Sequence, residues 1–258
     1  MNTKPDILPS LRARKLSRRY GTRVAVDALD LDLHPGEVLG LLGPNGAGKS
    51  TTLQMLSGNL APSSGSVEIC GVDLSEQPEA AKANLGYLPE IPPLYRELTV
   101  GEFLRLAARL HRVPKAELDV AVRQALQRCG LDEVAQRLIG SLSKGYRQRV
   151  GIAQAIVHNP SVIILDEPTA GLDPLQIRDI RELIGALGRT HSVILSTHIL
   201  AEAEALCDQV LILHQGRTVF SGGMTDLCRQ RQEDGPREAA SNGLEEMFVR
   251  LTRQESLL

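Results

Sequence analysis

Two stretches of this 258-residue chain hold residues whose types and spacing suit phosphate chemistry. The first, Gly43-Pro44-Asn45-Gly46-Ala47-Gly48-Lys49-Ser50, has the form GxxxxGK[ST]. Its glycines let the backbone turn tightly and aim amides into a cavity, where they bind phosphate oxygens. Lys49 then reaches the β- and γ-phosphates, and the Ser50 hydroxyl is set to hold Mg²⁺. The second stretch, far downstream, is the apolar run Val162-Ile163-Ile164-Leu165 followed by Asp166-Glu167. Asp166 is placed to hold the same Mg²⁺ through water, and Glu167 to polarise a water attacking the γ-phosphate. Alone, Asp166-Glu167-Pro168 also reads as an acidic helix start. Lys49 upstream favours the catalytic reading.

Such groups work only if secondary structure delivers them. Val38–Leu42 is a short apolar run that reads as a buried strand ending at the loop, and a helix follows from Ser50. That helix adds the positive end of its dipole to the phosphate site. Val162–Leu165 has the length of a buried parallel strand, with Asp166 at the carboxyl end where ligands collect in open α/β sheets. Ser192–Ser196 is another strand candidate, followed by Thr197 and His198. Val26–Leu33 alternates with the period of a half-buried strand. With Leu11–Leu16 and Val67–Ile69 it suggests an antiparallel sheet beside the nucleotide core. From about residue 91 to 139 the pattern turns helical. Thr99 and Glu102 have capping-box spacing before Phe103, and Leu118 to Cys129 is a second periodic stretch. Ser143 reads as the cap of a helix from about Tyr146 to Val157. Arg217 to Phe220 is a last strand candidate. Residues 229 to 242 read as a flexible polar linker. Leu244, Met247, Phe248 and Leu251 then form an amphipathic pattern, expected to pack on the chain's own body or on a twin subunit.

Composition is that of a water-soluble domain, with 42% hydrophobic residues and a formal net charge of −2, which argues against a general nucleic-acid binder. The apolar runs are far shorter than the ~18–20 residues that cross a bilayer. No charged-then-apolar leader is read at the N-terminus. Cys70, Cys129, Cys207 and Cys228 have no CxxC spacing and read as reduced thiols. His34, His111, His158, His191 and His214 lack a chemical context and read as structural.

The order of the motifs, with Leu142-Ser143-Lys144-Gly145-Tyr146-Arg147-Gln148-Arg149 between the two phosphate motifs, resembles the ATP-binding subunits of ABC transporters. The resemblance covers roughly residues 11–221. It implies an α/β fold: a P-loop NTPase core, an antiparallel β subdomain and an inserted helical subdomain at about 91–145, with 222–258 a C-terminal linker and amphipathic helix. It implies ATP and Mg²⁺ as the bound species. Nucleotide binding falls to Tyr20, Gly43, Pro44, Asn45, Gly46, Ala47, Gly48, Lys49, Ser50, Thr51, Ser143, Gly145 and Asp173. Catalysis falls to Glu167, His198 and Lys49, and the metal to Ser50, Asp166 and Glu90. In the family an aromatic at the place of Tyr20 stacks on adenine; by itself Tyr20 also reads as a strand-end tyrosine. His198 resembles the switch histidine that contacts the γ-phosphate. Ser143 and Gly145 match a segment that binds the γ-phosphate held by the other subunit. Lys144 and Tyr146 depart from its LSGGQ pattern. Asp173 fits the loop that crosses between subunits, and equally a helix cap before Pro174. Glu90 stands where the family usually has glutamine, a residue that senses metal and water and links the site to the membrane partner.

The partners implied are a second copy, or a related ATPase subunit, and separate ABC-type membrane permease subunits, with no nucleic acid. The place implied is the cytoplasmic face of the membrane, held peripherally by the permease. Tyr87-Leu88-Pro89-Glu90, the modified 142–146 segment and the C-terminal helix look similar to ABC-2-type exporter ATPases, the gliding-motility-associated group and its drug, polysaccharide and copper-site assembly relatives. Two other classes fit the chain less well. An ABC ATPase driving a soluble machine is disfavoured by the single ATPase half and the lack of a coiled-coil insertion. A small-molecule P-loop kinase needs an acceptor pocket and a lid, and nothing in the chain reads as either.

Overall fold

The computed structural model describes residues 8–233. In chain order its elements are β1 (Leu11–Tyr20), β2 (Arg23–Leu33), β3 (Val38–Leu42), α1 (Lys49–Leu56), β4 (Ser64–Ile69), β5 (Val72–Asp73), α2 (Pro78–Lys82) and β6 (Leu85–Leu88). Next come α3 (Val100–Leu110), α4 (Leu118–Arg128), α5 (Lys144–Ile156), β7 (Val162–Asp166), α6 (Pro174–Gly188) and β8 (Ser192–Thr197). The last are α7 (Leu200–Leu206), β9 (Gln209–His214), β10 (Arg217–Gly223) and α8 (Met224–Glu233).

Two sheets organise them. The six-stranded sheet runs β10-β9-β3-β8-β7-β6, parallel except for β10. The four-stranded sheet, β2-β1-β4-β5, is antiparallel. The central strands are continuous apolar runs because both faces are covered. Alternate residues therefore enter two different cores. Val38, Leu42, Ile163, Leu165, Val193 and Leu195 join the helices α3, α4 and α5 in one core. Leu39, Leu41, Val162, Ile164 and Ile194 join Leu11, Leu29, Leu31 and Leu33 of the antiparallel sheet in the other. The alternation of β2 is visible in its burial, with Leu29, Leu31 and Leu33 buried and Asp30 and Asp32 exposed.

The helical region lies between β6 and β7. Its first helix, α3, starts at the expected capping box: Thr99 Oγ1 accepts from the Glu102 N–H at 3.2 Å, and the Glu102 carboxylate accepts from the Thr99 N–H at 2.8 Å. That bond holds the Glu102 carboxyl below its usual range. α5 begins at Lys144, two residues before the expected start, with Ser143 capping it through the Tyr146 N–H. Cys129 and Cys207 are buried, which pushes each thiol up to about 12, while Cys70 is exposed.

The linker expected from Arg229 needs correction. Residues 229 to 233 continue α8, which is anchored by Met224 and Leu227, both buried. One apolar residue pair per helix leaves an otherwise polar composition, and that composition reads as a loop. The amphipathic pattern at Leu244–Leu251 lies outside the described residues. β6, β9 and α7, which carry no pattern singled out in the sequence, complete the core.

Candidate active site

Strand direction brings the site residues together. β3, β8, β7 and β6 are parallel neighbours, so their carboxyl ends share one edge of the sheet. β3 leads into the glycine loop, β7 ends at Asp166, β8 is followed by His198, and β6 by Pro89-Glu90. A cavity of about 420 Å³ opens on this edge, lined by Tyr20, Arg23, Ala25, Asn45, Gly46, Gly48, Lys49, Ser50, Thr51, Glu90, Glu167, Ala170 and His198.

The loop needs glycine at position 48 for two reasons. Its φ is +109°, in the half of backbone space closed to most side chains, and a Cβ there would lie 2.6 Å from the Ala25 carbonyl oxygen. Gly48 also stands at the N-terminus of α1, so the first amides of that helix face the cavity. Lys49 is buried, and its Nζ donates to the carbonyls of Gly43 at 2.8 Å and Pro44 at 3.3 Å. The same ammonium lies 3.4 Å from Glu167 Oε1. Of the remaining loop residues, Gly43 and Ala47 are buried behind the lining; the Ala47 carbonyl accepts from the Gly216 N–H.

The acidic pair is held by Ser196, a residue of β8. Ser196 Oγ donates to Asp166 Oδ1 at 2.6 Å and accepts from the Glu167 N–H at 2.9 Å. Glu167 has φ +47°, a left-handed conformation unfavourable for a residue with a side chain. His198 Nδ1 donates to Glu167 Oε2 at 3.0 Å. Glu167 is thus placed between the Lys49 ammonium and the His198 ring. Burial, and then the charge of Asp166, push the Tyr87 hydroxyl up to about 12, so it stays neutral beside the acid.

Ser50 Oγ and Asp166 Oδ1 are 3.5 Å apart. One hydroxyl and one carboxylate make a hard-oxygen donor set, and Mg²⁺ is commonly held by such a pair together with phosphates and water. Among the described residues no group of three or more His, Cys, Asp or Glu forms a protein-only metal cage. The Ser50 hydroxyl and the Asp166 carboxylate are the donors that fit Mg²⁺. Glu90 lines the cavity and is exposed.

Tyr20 lines the cavity with about half its surface exposed, and the Arg18 guanidinium sits 4.8 Å from its ring centre. Arg23, two residues into the same hairpin, is a cationic wall residue that sequence reading missed. Only the pairing of β1 with β2 carries it to the loop.

Three expected residues stand apart. Ser143 and Gly145 line a separate hollow of about 160 Å³, with Tyr146, Arg149, Gln176, Asp179 and Ile180. Asp173 is exposed and caps α6, its Oδ1 accepting from the Gln176 N–H at 2.9 Å. The cap reading of Asp173 is thus correct as structure. Lys144, the departure from the family pattern, rests its ammonium against Gly171 of the same chain.

The family model described as ABC transporter matches residues 26–170, a span that holds the glycine loop, the Ser143 segment and Asp166-Glu167. The chain belongs to the ABC transporter ATP-binding family. It is 38% identical over 209 residues to the bacitracin transport ATP-binding protein BcrA of Bacillus licheniformis, covering 80% of this chain and 67% of that one. It is 37% identical over 215 residues to the Nod factor export ATP-binding protein I of Paraburkholderia xenovorans, covering 83% and 70%. A solved structure of an ATP binding subunit of an ABC transporter superposes with a TM-score of 0.81 at 36% identity, over 94% of this chain and 99% of that one. An ABC ATPase fold and ATPase activity follow for this family member. No helix among the described residues is long and apolar enough to cross a membrane.

Proposed function

We propose that this ATPase works as a head-to-tail pair that drives export through a separate membrane permease. The observation that carries the pairing is the separation of Ser143 and Gly145 from the cavity that holds Lys49, Glu167 and His198. A capped helix N-terminus that faces outward from its own site is suited to close the nucleotide of a second copy. Export is supported by the names of the relatives, one of which exports Nod factor. Attachment of the chain at the cytoplasmic membrane face follows from the same reading, since the permease is its anchor.

Within each cavity the roles follow from charge and reach. Lys49 and the α1 amides neutralise and orient the β- and γ-phosphates of ATP. Tyr20 offers a ring for the adenine, with Asn45, Gly46 and Thr51 along the phosphate path. Mg²⁺, when bound, is held by Ser50 and Asp166, with Glu90 nearby, and spreads phosphate charge. Glu167 accepts a proton from water aimed at the γ-phosphate, and His198 orients Glu167 through the hydrogen bond it donates. Asp173 and the Ser143 segment reach toward the opposite subunit.

Complementation tests the composite site. Lys49→Ala removes the phosphate cation. Ser143→Asp keeps a good helix cap but turns a carboxylate toward the γ-phosphate of the other subunit. Each variant alone should be inactive. A mixture should regain hydrolysis, because mixed dimers hold one site with both Lys49 and Ser143 intact. Recovery no greater than the sum of the two variants alone rejects the head-to-tail pair.

A further inference from the structure

Glu202 is a buried carboxylate outside the cavity lining, only 1% exposed, in the first turn of α7. Thr169 Oγ1 donates to its Oε1 at 2.7 Å, and Thr197 Oγ1 donates to its Oε2 at 2.7 Å. Arg181 of α6 brings Nη2 to 3.4 Å from Oε1. Thr169 follows Glu167 by two residues, and Thr197 directly precedes His198. We propose that Glu202 is a positioning residue of the ATPase site, a buried clamp that fixes the Glu167 loop and the His198 segment relative to each other.

Burying a carboxylate is costly unless donors surround it. Here two hydroxyls and a guanidinium do so, and they come from three different segments: the loop after β7, the end of β8, and α6. A helix anchored for packing alone needs no such convergence. The backbone supplies the second argument. Glu167 has φ +47°, and strained residues persist only where their surroundings over-determine them. Ser196 holds the Glu167 N–H from the strand side. Glu202 holds the same loop two residues later, at Thr169. On the other arm, Thr197 Oγ1 also accepts from the Ile199 N–H at 3.0 Å, which sets the turn carrying His198. The 3.0 Å contact between His198 Nδ1 and Glu167 Oε2 joins two segments that meet again at this carboxylate.

The role rests on Glu167 and His198 being the reacting pair proposed above, and the test separates the two claims. Glu202→Gln keeps the shape but offers one acceptor oxygen where two hydroxyls now donate, and it removes the anion facing Arg181. Steady-state hydrolysis, nucleotide affinity by fluorescence of an ATP analogue, and thermal unfolding are measured on the full chain. The expected result is a kcat lower by roughly tenfold to a hundredfold, the scale of a small misplacement of reacting groups. Nucleotide affinity should match wild type, while the unfolding midpoint falls because Arg181 loses its buried anion. Thr169→Val, a smaller change, should lower kcat in the same way and add little in the double variant. Unchanged kcat, or a nucleotide affinity that falls together with kcat in both single variants, overturns the proposal. Glu167→Gln run in parallel identifies which claim has failed. If it hydrolyses ATP normally, the site assignment fails and the clamp with it. If it is inactive while Glu202→Gln is normal, only the clamp fails.

Discussion

At the scale of single residues, Glu90 is the departure with the clearest chemical consequence. It lines the cavity at the place where the family resemblance puts an amide. In the proposed site its charge attracts the metal and repels the triphosphate. Glu90→Gln should therefore leave folding and nucleotide binding intact while changing the Mg²⁺ dependence of hydrolysis. Superimposable Mg²⁺ titrations for the two proteins would count against this role. Lys144 is a different kind of departure. Its ammonium packs on Gly171 of its own chain, so a change from glycine there adds an internal contact to the loop that leads to Asp173.

At the scale of elements, close approach of β6 and α5 sets the place of Glu90. A Cβ on Gly86 would overlap the carbonyl of Ala155 and lie 3.1 Å from Pro160 Cγ. Neither neighbour is a flexible side-chain end. Gly86→Ala should cost roughly 1–3 kcal/mol of stability by overpacking, seen as a lower urea midpoint, and should slow hydrolysis by moving the end of β6. Beside this contact lies a histidine pair. His111 and His158 stack with ring centres 3.6 Å apart, and His158 Nε2 donates to the Leu85 carbonyl at 3.0 Å. Burial first, then the neighbouring His111, pull His158 down to about 4. The ring is neutral when folded and takes up a proton more readily when unfolded. Its contribution to stability is therefore present above pH ~6.5, the unfolded value. It is lost as pH falls from there toward 4. Urea midpoints at pH 7 and pH 5 should differ less for His158→Gln than for wild type. Equal differences would remove His158 from the pH dependence.

At the scale of the whole molecule, the proposed pair draws on two separated surfaces of each copy, the Lys49 cavity and the Ser143 hollow. Glu167→Gln keeps the size of the base and most of its hydrogen bonds but cannot take a proton. With Mg²⁺ and ATP it should accumulate as a dimer holding two nucleotides, visible as an earlier peak in size-exclusion chromatography, while ADP leaves it monomeric. A monomer under both conditions contradicts the paired arrangement.

Much of this protein was legible in the chain because its signals are local. The loop from Gly43 to Ser50, the apolar runs of β3, β7 and β8, the alternation of β2 and the Thr99 capping box each lie within a few residues. Backbone propensity and side-chain period act over that range. Lys49, Ser50, Asp166 and Glu167 stand in or beside such local patterns, whereas His198 stood out only through the family resemblance. Tertiary structure alone decided the rest. Ser196 looks like an ordinary strand residue until β8 pairs with β7 and brings its hydroxyl to Asp166. Arg23 reaches the cavity only through the β1–β2 hairpin. Glu202 belongs to no motif in sequence, yet its carboxylate is buried by partners from three segments. The polar helix α8 reads as a linker because two buried residues suffice to anchor it. In each case the deciding contact joins residues distant along the chain, and a local pattern holds no record of which distant group will arrive.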